Sequence, residues 1–380
     1  MRSRARPRAS TASRSWTLRN DDDIPSGPLR RGWTTGACAT AAAKAAYTAL
    51  VTGAFPDPVE IVLPAGARVA FALATESLAS DYARAGIVKD AGDDPDVTHG
   101  ALVVARVAHG APGSGVTFRG GEGIGTVTKP GLPLPIGEPA INPVPRAMMR
   151  DAIASVANQF GASGDAEIEL SIPGGAAIAT KTWNPRLGIL GGLSILGTTG
   201  VVVPYSCAAW IATIHEGLDV ARALGLTHVA GATGSTSEAT VARFHGLDGS
   251  ALIDMGDFVG GMLKYVRRYP LPRVTIAGGF AKMSKLANGH LDLHSKRSTV
   301  DLDFLAALAR DAGAPAATTQ RIAHANTGLD ALTIAREGNV ALAELVAARA
   351  RVVALDVVAG SGVAVDVLVV DRDGAPIAHA

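Results

Sequence analysis

Three stretches decide the fold: LTHVAGATGS (residues 226–235), ALIDMGD (251–257) and RVTIAGGF (273–280). Each is a short apolar run ending in a glycine-bearing loop, and each leads into a segment with helical spacing. Upstream, VVVP (201–204) precedes SCAAWIATIHEGLDVARALG (206–225), where Ala208, Ile211, Ile214 or His215, Leu218 and Ala221 keep one stripe. Strand, glycine loop and helix in alternation predict a parallel sheet covered by helices. In such sheets ligands bind outside the carboxyl ends of the strands. The remainder predicts two or three helices and a closing hairpin, VAVDVLVVDRDGAPIAHA (363–380), turning at Asp373-Gly374.

The preceding half has a different rhythm. WTTGACATAAAKAAYTALVTG (33–53) is an Ala-rich helix with Thr34 or Thr35 as N-cap and Gly53 as its stop. VEIVLP (59–64) and ARVAFALAT (67–75) read as a hairpin, and GALVVARVA (100–108) and GVTFRG (115–120) as further strands. A Gly- and Pro-rich span leads to the helix PRAMMRDAIASVANQF (145–160), then AEIELSIP (166–173) and GAAIATKTW (175–183) return as strands. Hairpin-paired strands with two helices make this half α+β.

The 380 residues are 48% hydrophobic and 18% charged, enough for two ordinary domains, and the net charge of +1 offers no global field for nucleic acid or an anionic membrane. No apolar run reaches the roughly 20 residues of a membrane span. Cys38 and Cys207 stand alone without CxxC spacing, so neither a disulfide framework nor a thiolate metal site is indicated, and a reducing cytoplasm fits. The first 20 residues carry six arginines and no acid. They read as a solvated basic tail or an organellar transit peptide, and the absence of an apolar core argues against a secretory signal.

Chemistry concentrates in a few places. Gly231 and Gly234 close the first βα turn and Asp254 ends the next strand. That arrangement suits a nucleotide-like ligand whose ribose an acid holds, although such glycines are also plain steric punctuation and Asp257 competes for the ribose or serves as a helix cap. Three glycine-rich stretches (119–146, 180–200 and 278–298) carry Arg119, Lys129, Arg146, Lys181, Arg186, Lys282, Lys285, Lys296 and Arg297. Clustered N–H groups beside cations make anion sites. In HLDLH (290–294), His290, Asp292 and His294 read as metal ligands, polar contacts or plain structure. KDAGDDPDVTHG (89–100) places Asp90, Asp93, Asp94 and Asp96 on one loop.

Six motifs in order, LRRGWTTGACATAAAKAA, KDAGDDPDVTHGA, GGEGIGTVTKPGL, PIGEPAINPVPR, TWNPRLGILGGLSILGTTGVVVPYS and KLANGHLDLHSK, resemble the CbiD family, the cobalt-precorrin-5B (C1)-methyltransferases of cobalamin biosynthesis. The resemblance runs from Leu29 to Ser298. It implies transfer of a methyl group from S-adenosyl-L-methionine to C-1 of a cobalt-bearing, polyanionic tetrapyrrole; from the charge, hydropathy and motifs above, no protein-bound metal, nucleic acid or membrane is expected. It also implies an N-terminal α+β domain with a mixed or antiparallel sheet beside a C-terminal Rossmann-like parallel α/β domain. The division expected is a basic tail (1–27), an α+β domain (28–195), a Rossmann-like domain (196–300) and C-terminal helices with the hairpin (301–380). Two turns depart from the family pattern, GGFAK (278–282) and GATG (231–234), both at strand ends where cofactor contacts are expected.

A polyanionic macrocycle meets Arg and Lys at its rim, so the acidic loop faces the sulfonium, the centre of the macrocycle, or its own backbone as Asx turns. The expected catalytic residues are Asp93, Asp94 and Thr98. Lys129, Arg146, Arg186, His294 and Ser295 are expected to bind substrate, and Gly231, Gly234 and Asp254 the cofactor, while Thr34, Thr35 and Gly36 offer a helix N-terminus to an anion. The alternatives are a Mg²⁺-dependent phosphoryl transferase, weakened by the missing Walker lysine, and a non-enzymatic tetrapyrrole carrier. Oligomeric state, homo-oligomer included, is left open.

Overall fold

The computed structural model describes residues 27–380; the basic tail expected over 1–27 lies almost wholly outside the described residues. Strand β1 (Gly32–Trp33) leads into helix α1 (Thr35–Thr52), followed by β2 (Val59–Val62), β3 (Arg68–Phe71), β4 (Thr75–Leu78), β5 (Tyr82–Val88), β6 (Leu102–His109), β7 (Val116–Gly120) and β8 (Thr126–Val127). Helix α2 (Pro143–Phe160), β9 (Ala166–Ser171), the short α3 (Gly175–Ala179), β10 (Ile189–Leu190) and β11 (Val201–Val202) complete this half. Its main sheet has the order β4-β5-β6-β9-β7, antiparallel except for the parallel pair β7 and β9.

The Thr34 hydroxyl caps α1 by accepting from Ala37 N at 3.2 Å, and Gly53 ends it with φ of 81°. Eight of the eighteen residues of α1 are alanine, so its backbone can lie close to its neighbours, and Tyr47 is the one large aromatic side chain it buries. It is buried along most of its length against α2 and strands β5 and β6, at the centre of one hydrophobic cluster.

The second half runs α4 (Cys207–Ala223), β12 (His228–Ala232), α5 (Ser235–His245), β13 (Leu252–Asp254), α6 (Val259–Arg268), β14 (Arg273–Gly279), α7 (Phe280–Ala287), α8 (Leu302–Asp311), α9 (Ala316–Ala323), α10 (Gly328–Glu337), α11 (Leu342–Val357), β15 (Ala364–Val370) and β16 (Pro376–His379). Here the sheet order is β13-β12-β14-β15-β16, with parallel pairing up to β15 and an antiparallel last strand. The three stretches read first are its strands β12, β13 and β14, and β15 joins β14 in a seven-residue register. Val274, Ile276, Val365 and Val367 anchor a second hydrophobic cluster with α4, α6, α7 and α11.

Four local expectations are corrected. GAAIATKTW is not a strand: Gly174, at φ of 74°, starts the five-residue helix α3, and an alanine-rich run has little to gain from a pleated surface. VVVP contributes only Val201–Val202, antiparallel to Gly32–Trp33, and stays out of the parallel sheet. YARAGIV (82–88) is the strand between β4 and β6, missed because alanine, glycine and arginine hide its alternation. Finally, four helices, not two or three, lie between residues 302 and 357.

Candidate functional site

The acidic loop is built against the N-terminal strand. Arg30 holds the Asp90 carboxylate with both terminal guanidinium nitrogens, Nη1 and Nη2, and this ion pair pulls the Asp90 pKa down to about 2, with help from Gly92 N donating to Oδ1. Arg30 N donates to Asp93 Oδ2 at 2.6 Å, and Trp33 N to Asp90 O at 2.7 Å. Gly92 has φ of +69°, and a Cβ there would stand 2.1 Å from Arg30 O, so only glycine permits the contact. Asp94 Oδ1 accepts from Tyr205 N at 2.8 Å, and burial raises its pKa. Tyr205 has φ of 56°, a costly value for a non-glycine residue, and Asp94 therefore secures the strained turn that starts α4.

The fourth aspartate does something else. Asp96 Oδ1 accepts from Thr98 N at 2.8 Å and Thr98 Oγ1 at 2.7 Å, and its Oδ2 meets Lys89 Nζ, which also donates to Thr98 Oγ1 at 2.8 Å. Lys89 is 2% exposed, a cation taken out of water and compensated by this pair. Burial opposes ionisation of Asp96, but the charge and hydrogen bond of Lys89 prevail and its pKa is lowered.

This triad forms one wall of a cavity of about 230 Å³. Thr34 and Thr35 from the start of α1, Asn142 from the start of α2, Trp183, Asn184 and Ser194 from the glycine-rich loops, and Thr213 and Glu216 from α4 complete its lining. Burial, then Asp219, raises the pKa of Glu216. The cavity thus lies between the α4 face of the second half and the loops of the first. Gly131 makes that closeness possible, since a Cβ there would meet Asp219 O at 2.6 Å. Another concavity of about 240 Å³, on the outer strands and lined by Thr75, Glu76, Ser77, Arg84, Leu102 and Val104, gathers far fewer polar groups and lies away from the motifs.

A second polar cluster sits at the carboxyl ends of β12, β13 and β14. Lys282 Nζ donates to Thr233 O at 3.0 Å and lies 3.0 Å from Asp257 Oδ1, although its angle is too poor for that oxygen to be hydrogen-bonded. Arg186 grips Glu238, in the first turn of α5, through two bonds of 2.7 Å and stacks 4.9 Å from the Trp183 ring. Asp254 is desolvated beside Glu238, which together push its carboxyl up to about 6 against the pull of Gly256 N, Arg186 and Lys282. The Trp183 to Arg186 segment therefore belongs to both places, its indole in the cavity lining and its guanidinium on the sheet edge.

The expected site residues divide accordingly. Thr98 lines the cavity, whereas Asp93 and Asp94 hold backbone N–H groups outside its lining. Arg186, Gly234 and Asp254 meet at the sheet edge, and Lys129 joins them through Arg186 O at 3.1 Å and Ser250 Oγ at 2.9 Å. Gly231 is buried in β12, where a Cβ would stand 2.3 Å from Met262 Sδ, while a Cβ on Gly234 would meet open space. Arg146 is occupied by Ile141 O at 2.8 Å, Glu138 Oε2 at 3.0 Å and Pro139 O at 3.2 Å.

His294 and Ser295 follow Leu293, which bonds Asp257 O through its N–H at 2.9 Å and accepts from the buried Lys285 Nζ at 2.8 Å. In HLDLH the leucines pack into the core, and Asp292 Oδ1 accepts from His294 N at 3.1 Å as a turn. Sequence reasoning missed Lys89, Asp96 and Glu216 as cavity groups. For Lys89 the signal available was a lysine directly after the apolar run AGIV, at the edge of the acidic loop.

The chain matches the family described as CbiD over residues 23–204 and that described as CbiD, C-terminal domain, over residues 292–380. It is 61% identical over 352 residues to a protein of Paramagnetospirillum magneticum named cobalt-precorrin-5B C(1)-methyltransferase, covering 93% of this chain and 98% of that one. Proteins of the same name from Methylorubrum extorquens (59% identical) and Brucella anthropi (56% identical) are covered to the same extents. Among solved structures, a cobalamin biosynthesis protein (cbiD) from Archaeoglobus fulgidus is 23% identical, with a TM-score of 0.38, over 83% of this chain and 86% of that one. With both family matches and relatives this similar over nearly their whole length, the chain belongs to the CbiD family.

Proposed function

We propose that this chain methylates C-1 of cobalt-precorrin-5B with S-adenosyl-L-methionine as donor, in a reducing, cytoplasmic setting. The observation that carries this reading is identity of 56–61% to relatives bearing that activity in their name, over 98% of their length. The organisation proposed with it is an α+β unit carrying the acidic and glycine-rich loops, beside a Rossmann-like unit built on the parallel sheet.

The donor fits the carboxyl edge of that sheet. Asp254, at the end of β13, takes ribose hydroxyls when ionised, and the open space over Gly234 lets a ligand approach the N-terminus of α5. The donor supplies an electrophilic methyl on a cationic sulfur. The macrocycle enters from the neighbouring cavity, which at about 230 Å³ takes a rim of the ring and not the whole of it. Lys89, Thr34, Asn142 and Asn184 bind its carboxylate side chains there, and Arg186 with Lys129 holds others between cavity and sheet edge. His294 and Ser295 add polar contacts beside Asp257.

As charge leaves the sulfur and develops on the ring, Asp96 stabilises it, because Lys89 and Thr98 keep this carboxylate ionised and oriented. Asp93 and Asp94 serve the same reaction by holding the loop and the α4 turn in place. No covalent intermediate with the protein is needed; positioning in a water-poor cleft supplies most of the acceleration.

Incubating the purified chain with methyl-labelled S-adenosyl-L-methionine and cobalt-precorrin-5B tests the reading. One labelled methyl per macrocycle, located at C-1 by NMR, is expected. Folded protein that leaves the substrate unlabelled, or labels another carbon, overturns it.

A further inference from the structure

At the other end of the parallel sheet, away from the carboxyl edges just described, three side chains from three elements converge. His245 ends α5, Asp366 lies near the start of β15 and His379 ends β16. His245 Nε2 lies 3.2 Å and His379 Nε2 3.1 Å from the same oxygen, Asp366 Oδ2, and the three ligand atoms are all within 4.8 Å of one another. Neither the family resemblance nor the proposed methyl transfer accounts for this constellation.

We propose that His245, Asp366 and His379 form a binding site for one divalent transition-metal ion of the zinc type. An ion with four bonds of about 2.0–2.1 Å at tetrahedral angles has ligand atoms roughly 3.3 Å apart, which matches the two nitrogen-to-oxygen separations, and the two nitrogens, within 4.8 Å of each other, draw together as the ion binds. Imidazole and carboxylate in this ratio suit zinc, and an alkaline-earth ion needs more oxygens. Without an ion the geometry is crowded. Thr275 Oγ1 donates to Asp366 Oδ2 at 2.8 Å and lies 3.3 Å from His245 Nε2, so Asp366 Oδ2 has the Thr275 hydroxyl and both imidazole nitrogens within 3.2 Å. A bound ion takes a lone pair from each nitrogen and one from that oxygen.

The surroundings support the assignment. Arg273 Nε donates to Asp366 Oδ1 at 2.8 Å, leaving Oδ2 as a single, oriented ligand atom. His228 Nε2 lies 2.7 Å from Thr275 Oγ1 and fixes that hydroxyl behind the carboxylate. His379 is 38% exposed in its side chain, which gives the ion an entry path and leaves the fourth position to water.

The test is calorimetric titration of chelator-treated full-length protein with Zn²⁺, without substrate, beside the variants His245→Ala, His379→Gln and Asp366→Asn. Expected is one site of micromolar or tighter affinity, weakened at least tenfold in each variant. Co²⁺ in place of Zn²⁺ should give the visible absorption of a tetrahedral ion, lost in the same variants. Melting in chelator checks each fold; should the His245 variant fail to fold, His379→Gln on the last strand decides. Wild-type protein that takes up less than one Zn²⁺ at 10 µM, or folded variants that bind as wild type does, overturns the proposal.

Discussion

Lys89 is the side chain with the most at stake in the cavity wall. Replacing it by Met leaves Asp96 half-buried without its cation, and a loss of about 2–4 kcal/mol in denaturant unfolding is expected. Pairing it with Asp96→Asn should recover part of that loss; a double variant no better than Lys89→Met contradicts the coupling. Asp254 makes a different prediction, because its folded pKa of about 6 stands above its ordinary value of 3.8. The folded state holds the extra proton between these values, so stability falls as pH rises through that window. Asp254→Asn should therefore raise the melting temperature at pH 8 while weakening S-adenosyl-L-methionine binding about tenfold or more, and wild-type affinity should fall below pH 6. Isothermal titration from pH 5 to 8 checks both halves of this.

Among the elements, β12 and its turn into α5 carry two glycines with opposite reasons for being glycine. Gly231→Ala forces a methyl against Met262 and Met255, and should cost about 1–3 kcal/mol with little direct effect on cofactor binding. Gly234→Val meets open space, so the fold should tolerate it while the added bulk blocks ligand approach to α5. Equal cofactor affinity in the folded Gly234 variant contradicts the placement. The strands β12, β13 and β14 were legible in sequence because their apolar runs end in glycine punctuation. Strand β5 was not, since its Tyr-Ala-Arg-Ala-Gly run carries little β propensity and is held by pairing on both sides. Thr34 and Gly53 announced α1 from local chemistry alone.

Across the whole molecule, Arg186 joins a loop of the first half to Glu238 of the second, and its charge pulls the Asp254 pKa down against the effect of burial. Arg186→Leu should thus move the pH threshold for cofactor binding upward, and an unchanged pH profile contradicts this link. The candidate site was legible only in part for the same reason. Thr98 and Asp254 announce themselves by local context, but which aspartate of DDPD reaches a cavity depends on Lys89, Thr98 and α4 meeting across distant segments. Likewise His245, Asp366 and His379 share no motif, and only the closing of the sheet gathers them.

That closing strand also has a history in time. Val274 and Ile276 of β14 pair with Val365 and Val367 of β15, after five helices, α7 to α11, have intervened in the chain. During synthesis one edge of β14 consequently waits, with apolar residues and unpaired N–H groups, until residues 364–370 have left the ribosome. A nascent chain stalled before residue 364 should recruit chaperones and resist proteolysis poorly in its second half alone, whereas the α1-centred half is already complete. The enzyme is in this sense assembled from its first sheet outward, and its second sheet becomes protected only once β15 has emerged to pair with β14.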